Sequence, residues 1–138
     1  MNRRGVLIDT GPLVALLSRS DARHARARAL AAACEPPWRT CEAVLAEAAH
    51  LLAKVDPSAP SALLALGRTG AIEIALRLDD HWQAVEQALR KYRDVPASLA
   101  DAGLIRCAEV HQEPRIVTFD ADFAVYRWSR NRRFEVID

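Results

Sequence analysis

The sequence lacks an excess of charge of either sign. Its 138 residues carry 19 Lys and Arg against 18 Asp and Glu, a formal +1, which excludes a basic nucleic-acid arm or an acidic disordered tail as a description of the whole chain. Any contact with a polyanion must come from local patches. Long hydrophobic runs are missing too. Nothing approaches the ~20 apolar residues of a membrane span, and after Met1-Asn2-Arg3-Arg4 only Val6-Leu7-Ile8 precede Asp9, too short for a signal-peptide core. A cytoplasmic protein with no membrane association is expected. Cysteine is scarce: Cys34, Cys41 and Cys107 are odd in number and have no C-x-x-C spacing, against a disulfide framework and against a structural zinc site. They read as reduced thiols. The four histidines, His24, His50, His81 and His111, show no H-x-x-x-H spacing, and the three tryptophans lack the spacing of a stacking platform. Both sets read as surface or packing residues.

What is present is an ordinary soluble composition, 51% hydrophobic and 27% charged, of a size for one domain over 1–138. Val6-Leu7-Ile8 reads as a strand buried on both faces, followed by a turn at Asp9-Thr10-Gly11-Pro12 and a helix to Leu17 with Pro12 in its first turn. Ser20 or Asp21 is expected to cap a helix from Ala22 to Ala33, closed by Pro36-Pro37, with Arg23, Arg26 and Arg28 facing water. Trp38-Arg39-Thr40 forms a very short strand. A helix from about Glu42 to Lys54 carries a core-facing stripe of Val44, Leu45, Ala48, Leu51 and Leu52. Asp56-Pro57-Ser58 opens a helix to about Leu66, Ile72 to Leu78 alternates like a strand, and Asp79-Asp80 begin a helix through Tyr92. Pro96-Ala97-Ser98 start another to about Val110. Ile116 to Phe119 is a β-rich run ending in acids, and Phe134 to Ile137 a last strand. Strands alternating with helices give an α/β fold, a single three-layer α/β/α domain with a central parallel sheet.

The carboxylates carry the chemistry. Ligands of open α/β sheets gather beyond the carboxyl ends of the strands, and two strands here end directly in acid, Ile8-Asp9 and Phe119-Asp120. Each acid alone also suits a helix N-cap. Asp101 shares a helical face with Leu104, Ile105 and Ala108; a carboxylate there must be compensated by a hydrogen bond, a cation, a metal or the dipole of the helix it opens. Glu47 lies at the margin of its helix's apolar arc, one turn from Val44 and Leu51. Like charges converging in a cleft raise one another's pKa unless a divalent cation neutralises them. Oxygen-only ligands favour Mg²⁺ or Mn²⁺ over zinc.

Four segments resemble the motif blocks of PIN-domain ribonucleases, in particular the VapC-type toxins of prokaryotic toxin–antitoxin pairs. They are Val6-Leu7-Ile8-Asp9-Thr10-Gly11-Pro12-Leu13-Val14-Ala15-Leu16-Leu17; Thr40-Cys41-Glu42-Ala43-Val44-Leu45-Ala46-Glu47 with His50-Leu51-Leu52; Ser98-Leu99-Ala100-Asp101-Ala102; and Val117-Thr118-Phe119-Asp120-Ala121-Asp122-Phe123. The resemblance covers nearly the whole chain in the family's order. It implies an acidic quartet of Asp9, Glu47, Asp101 and Asp120 as catalytic metal ligands for Mg²⁺ or Mn²⁺, with Asp122 a fifth metal ligand. Thr118 matches the hydroxyl residue before the last acids and joins the catalytic group, and Thr10 matches the one after the first. It implies hydrolysis of RNA phosphodiesters to 5′-phosphate and 3′-hydroxyl ends, in structured RNA cut at a single-stranded loop.

The constellation suits that chemistry, since one or two hard ions among such acids bind a phosphate oxygen and acidify a water. Seventeen arginines against two lysines, with Arg19, Arg23, Arg26, Arg28, Arg127, Arg130, Arg132 and Arg133 grouped in sequence, offer phosphate contacts or merely solvated faces. Expected partners are an RNA substrate, a small cognate antitoxin lying across the N-terminal helices, and a second copy in a homodimer. Three rivals compete. The triplet Asp9-Thr10-Gly11 matches aspartic proteases, but Pro12 and a helix follow it where those sites need a β-loop and a paired lobe. A phosphoaspartyl receiver leaves Glu47 unexplained and lacks its lysine. A catalytically silent PIN-like RNA- or protein-binding module keeps the fold without the reaction.

Overall fold

The computed structural model describes residues 4–138; the leading Met1-Asn2-Arg3, part of the N-terminus judged too short for a signal peptide, lies outside them. Five strands form a wholly parallel sheet: β1 (Leu7–Ile8), β2 (Trp38–Thr40), β3 (Ile72–Ile74), β4 (Arg115–Val117) and, at the C-terminus, β7 (Glu135–Ile137), in the order β3-β2-β1-β4-β7. Between them run α1 (Thr10–Leu17), α2 (His24–Ala33), α3 (Glu42–Ala53), α4 (Ala59–Arg68), α5 (Trp82–Lys91) and α6 (Leu99–His111). A two-stranded antiparallel hairpin, β5 (Arg127–Trp128) and β6 (Arg132–Arg133), precedes β7.

Neighbouring residues of a strand point to opposite faces, and Leu7, Ile8, Ile116 and Val117 are all buried, so the centre of the sheet is covered on both sides as a parallel sheet requires. The α/β/α expectation holds. The edge strands are wetter: Glu73 and Ile74 of β3 and Glu135 and Val136 of β7 are exposed. Helix α6 packs across β1 and β2 and is buried almost all round through Ala100, Ala102, Gly103, Leu104, Ile105, Cys107 and Ala108. Small residues allow that close approach. A Cβ on Gly103 would stand 2.7 Å from Cys41 Sγ. Cys34, Cys41 and Cys107 are buried free thiols, and no helix of the described residues is long and apolar enough to cross a membrane.

Several elements differ from the sequence reading for identifiable reasons. The strand expected to reach Leu78 stops at Ile74, because its partner β2 ends at Thr40, whose carbonyl takes the last bond from Ala75 N–H. Asp79 and Asp80 sit in a 3₁₀ turn, each facing Arg77 at 3.6 Å, so the next helix starts only at Trp82. Asp21 does not cap α2 directly; its carboxylate accepts the Arg23 N–H in a tight turn, and the helix begins at His24. Asp56 likewise turns back onto the Ser58 N–H and hydroxyl, delaying α4 to Ala59. The last two sheet strands are shifted, β4 starting at Arg115 and ending at Val117, β7 starting at Glu135. The β5–β6 hairpin was not foreseen at all. Its strands have two residues each, and its turn places Ser129 and Arg130 at φ 38° and 53°, a left-handed conformation usually signalled by glycine or asparagine.

Candidate active site

From β1 the chain proceeds through β2 to β3 on one side, while β4 and β7 lie on the other, so the order reverses between β1 and β4. That switch point is where a crevice opens at the carboxyl ends of the strands. The register Leu7↔Ile116 and Ile8↔Val117 sets the next residues, Asp9 and Thr118, side by side. Thr118 Oγ1 donates to Asp9 Oδ2 at 2.7 Å and accepts the Asp120 N–H at 3.0 Å, so one buried hydroxyl ties the acids of two strands together. The other Asp9 oxygen accepts the Thr10 N–H at 2.8 Å, capping α1.

Helix α6 runs toward the start of β4, so its N-terminus lies at the opposite, carboxyl end of the sheet. Ser98 and Asp101 form a reciprocal capping box there: Ser98 Oγ accepts the Asp101 N–H at 3.1 Å and Asp101 Oδ2 accepts the Ser98 N–H at 2.9 Å. Tyr126 Oη donates to the same Oδ2 at 3.3 Å. Asp101 is therefore at once the first-turn cap and a member of the cleft. Ligand oxygens of Asp9, Asp101 and Asp120 lie within 4.8 Å of one another. Glu47, exposed on α3, borders the same cleft of about 380 Å³ and is held by the Thr10 hydroxyl, which donates to Oε2 at 3.0 Å. It stands outside the three-acid cluster. So does Asp122, whose N–H instead holds Asp120 Oδ1 at 2.9 Å. Among the described residues, Asp101 Oδ1 and Asp120 Oδ2 accept no hydrogen bond.

Electrostatics follow from this crowding. Asp9 is 6% exposed, and burial pushes its carboxyl from 3.8 up to about 6; the Thr118 hydroxyl and Thr10 N–H pull it down, and the Asp101 and Asp120 charges push it up. The Tyr126 phenol is held firmly in its protonated form by burial and then by the charges of Asp101, Asp122 and Asp120. Sequence reading missed Tyr126 and Ser98 as supports of Asp101. Ser98 followed three residues later by an acid was a legible capping signal; Tyr126, 25 residues from Asp101, carried none. It also missed Phe119 and Arg23 as cleft residues. Arg23 is exposed as expected, and it also lines the cleft with its guanidinium over the Phe119 ring.

The profile of the PIN domain matches residues 6–128. The chain belongs to the PIN-domain family. This PIN domain is also similar in structure to VapC20 of Mycobacterium tuberculosis, described as a Sarcin-Ricin loop cleaving toxin. The two share 26% sequence identity with a TM-score of 0.78 over 88% of this chain and 94% of that one. No curated protein matches the sequence.

Proposed function

We propose that this PIN domain is an endoribonuclease, the toxin of a toxin–antitoxin pair, using Mg²⁺ or Mn²⁺ held by Asp9, Asp101 and Asp120, with Glu47 beside them. The observation that carries the reading is the convergence of three carboxylates within 4.8 Å at the switch point of the sheet. The donor set fits a hard cation. It is all oxygen, Asp101 and Asp120 each keep one oxygen without a donor among the described residues, and burial pushes the Asp9 carboxyl up to about 6. When bound, such an ion supplies the positive charge that stabilises a phosphodiester's developing negative charge and acidifies an attacking water.

The chain's own residues supply the positioning. Thr118 fixes the spacing of Asp9 and Asp120; Ser98 and Tyr126 fix Asp101; Thr10 aims Glu47 along the cleft. Asp122, whose N–H braces Asp120, joins the ligands by turning its side chain into the cleft. The substrate class is structured RNA with a single-stranded loop, in keeping with what the M. tuberculosis relative cleaves. An antitoxin is expected to lie on the outer surface of α1 and α2. The homodimer belongs to the same proposal, and light scattering of the purified chain checks it.

The test is incubation of the purified protein with ribosomal RNA and Mg²⁺, mapping the product ends. Discrete cuts leaving 5′-phosphate and 3′-hydroxyl ends support the reading. RNA bound but uncut with either ion would replace it with the silent binding module.

A further inference from the structure

A cation lines the acidic cleft without pairing to any of its acids. Arg23 stands just before α2, and its Cζ lies 4.8 Å from the centroid of the Phe119 ring. Both residues border the cleft with Asp9, Glu47, Asp101 and Asp120. A guanidinium and carboxylates lining one cleft attract each other, yet among the described residues the Arg23 guanidinium makes no ion pair and donates no hydrogen bond. The nearby Asp21 carboxylate accepts the Arg23 backbone N–H instead, at 2.8 Å. Phe119 is half-buried between Thr118 and Asp120, and the exposed Gly11 beside it has no side chain to cover the ring; a Cβ there would stand 3.5 Å from Phe119 Cδ2. Beyond this pair lies a second open space of about 340 Å³, bordered by Gly11, Val14, Asp21, Arg23, Leu51 and Phe119.

We propose that Arg23, held over Phe119, is a substrate-binding residue for single-stranded RNA. Its N–H edges take the phosphate of the nucleotide next to the scissile bond, and its outer face supports that nucleotide's base toward the Val14 and Leu51 side. The proposal rests on the ribonuclease reading and adds where the strand lies. Its physical reason is the sign of the cleft. Four acids repel an RNA backbone, and the strand needs a fixed positive group close by that the acids have not already neutralised. Arginine suits this better than lysine, because a planar guanidinium stacks on an aromatic face and still presents donors in a fork that matches phosphate. Bases of single-stranded RNA stack on guanidinium planes in the same manner.

The experiment compares wild type, Arg23→Met, Arg23→Lys, Phe119→Leu and Arg68→Met. Arg68 ends α4 just before the start of β3, at the opposite end of the parallel sheet from the cleft, and serves as the control. Binding of a short fluorescein-labelled single-stranded RNA is followed by anisotropy in EDTA across a range of salt, and cleavage is followed with Mg²⁺. Arg23→Met is expected to bind about tenfold more weakly, to raise KM more than it lowers kcat, and to reduce the slope of log affinity against log salt by about 0.7. Arg23→Lys and Phe119→Leu are expected to keep the salt slope and lose affinity, while the loss of slope is confined to Arg23→Met; a merely structural role would leave the slope of Arg23→Met at the wild-type value. Arg23→Met with wild-type affinity and slope, or Arg68→Met with the same losses, overturns the proposal while leaving the ribonuclease reading standing if wild type cuts RNA. A wild type that neither binds nor cuts RNA overturns both.

Discussion

Replacing Asp9 with asparagine is expected to stabilise the metal-free protein and to abolish cleavage. Asp9 is buried, and its carboxyl titrates at about 6 in the folded chain against an ordinary 3.8. Below pH 3.8 it is protonated in both states and costs nothing. As pH rises from 3.8 to about 6 the unfolded chain ionises freely while the folded chain resists, so the folded state loses stability over that window and the loss is constant above it. The shift converts to about 3 kcal/mol as an upper bound. Asparagine keeps an acceptor for the Thr10 N–H and its amide donates to the Thr118 hydroxyl, whose own proton then loses its acceptor at a cost of about 1 kcal/mol, so Asp9→Asn removes the charge and keeps most of the gain. In EDTA at pH 7.5 the variant should melt higher than wild type by up to about 10 °C, and the difference should vanish near pH 3.5. Added Mg²⁺ should raise the melting temperature of wild type and leave the variant's nearly unmoved. Melting by circular dichroism at the two pH values measures all of this. A variant no more stable than wild type at pH 7.5 would refute the claim that the Asp9 charge is undercompensated.

Thr118→Val removes a fully buried hydroxyl that both donates to Asp9 and accepts from Asp120; chemical denaturation should show a loss of about 1–3 kcal/mol, and cleavage at saturating substrate should fall by at least tenfold. Ser98→Ala loses the N-cap bond but keeps the backbone N–H that holds Asp101, so stability should drop by about 1 kcal/mol with cleavage changed only a few-fold. Asp101→Asn should show the converse, near-native stability and no cleavage. Gly103→Ala drives a Cβ to 2.7 Å from Cys41 Sγ and should cost about 1–3 kcal/mol, most of which Cys41→Ala in the same chain should restore.

The parts of this fold legible in the sequence are those in which local and tertiary demands agree. Val6-Leu7-Ile8 is apolar on both faces because β1 is central, and Asp9 follows because the strand ends there. Ser98 and Asp101 announce the start of α6 and, with it, the third carboxylate. What was not legible depends on contacts far along the chain. The end of β3 is set by where β2 stops supplying carbonyls at Thr40, and the β5–β6 hairpin turns on Ser129 and Arg130, residues with no turn signature. Tyr126 reaches Asp101 because a second 3₁₀ turn, Ala121–Ala124, carries the chain from β4 to the hairpin. The placement of Arg23 over Phe119 arises from the Asp21 turn that delays α2, which periodicity alone reads as an ordinary exposed helical arginine.

The most direct test of the central claim, that Asp9, Asp101 and Asp120 hold a divalent ion to cut RNA, is a metal titration of RNA cleavage by the purified protein. After treatment with EDTA and dialysis the wild type should be inactive, and activity should return as Mg²⁺ or Mn²⁺ is added, while Asp9→Asn, Asp101→Asn and Asp120→Asn stay inactive at every concentration. Cleavage that persists undiminished in excess chelator, or that the three variants retain, would contradict the account.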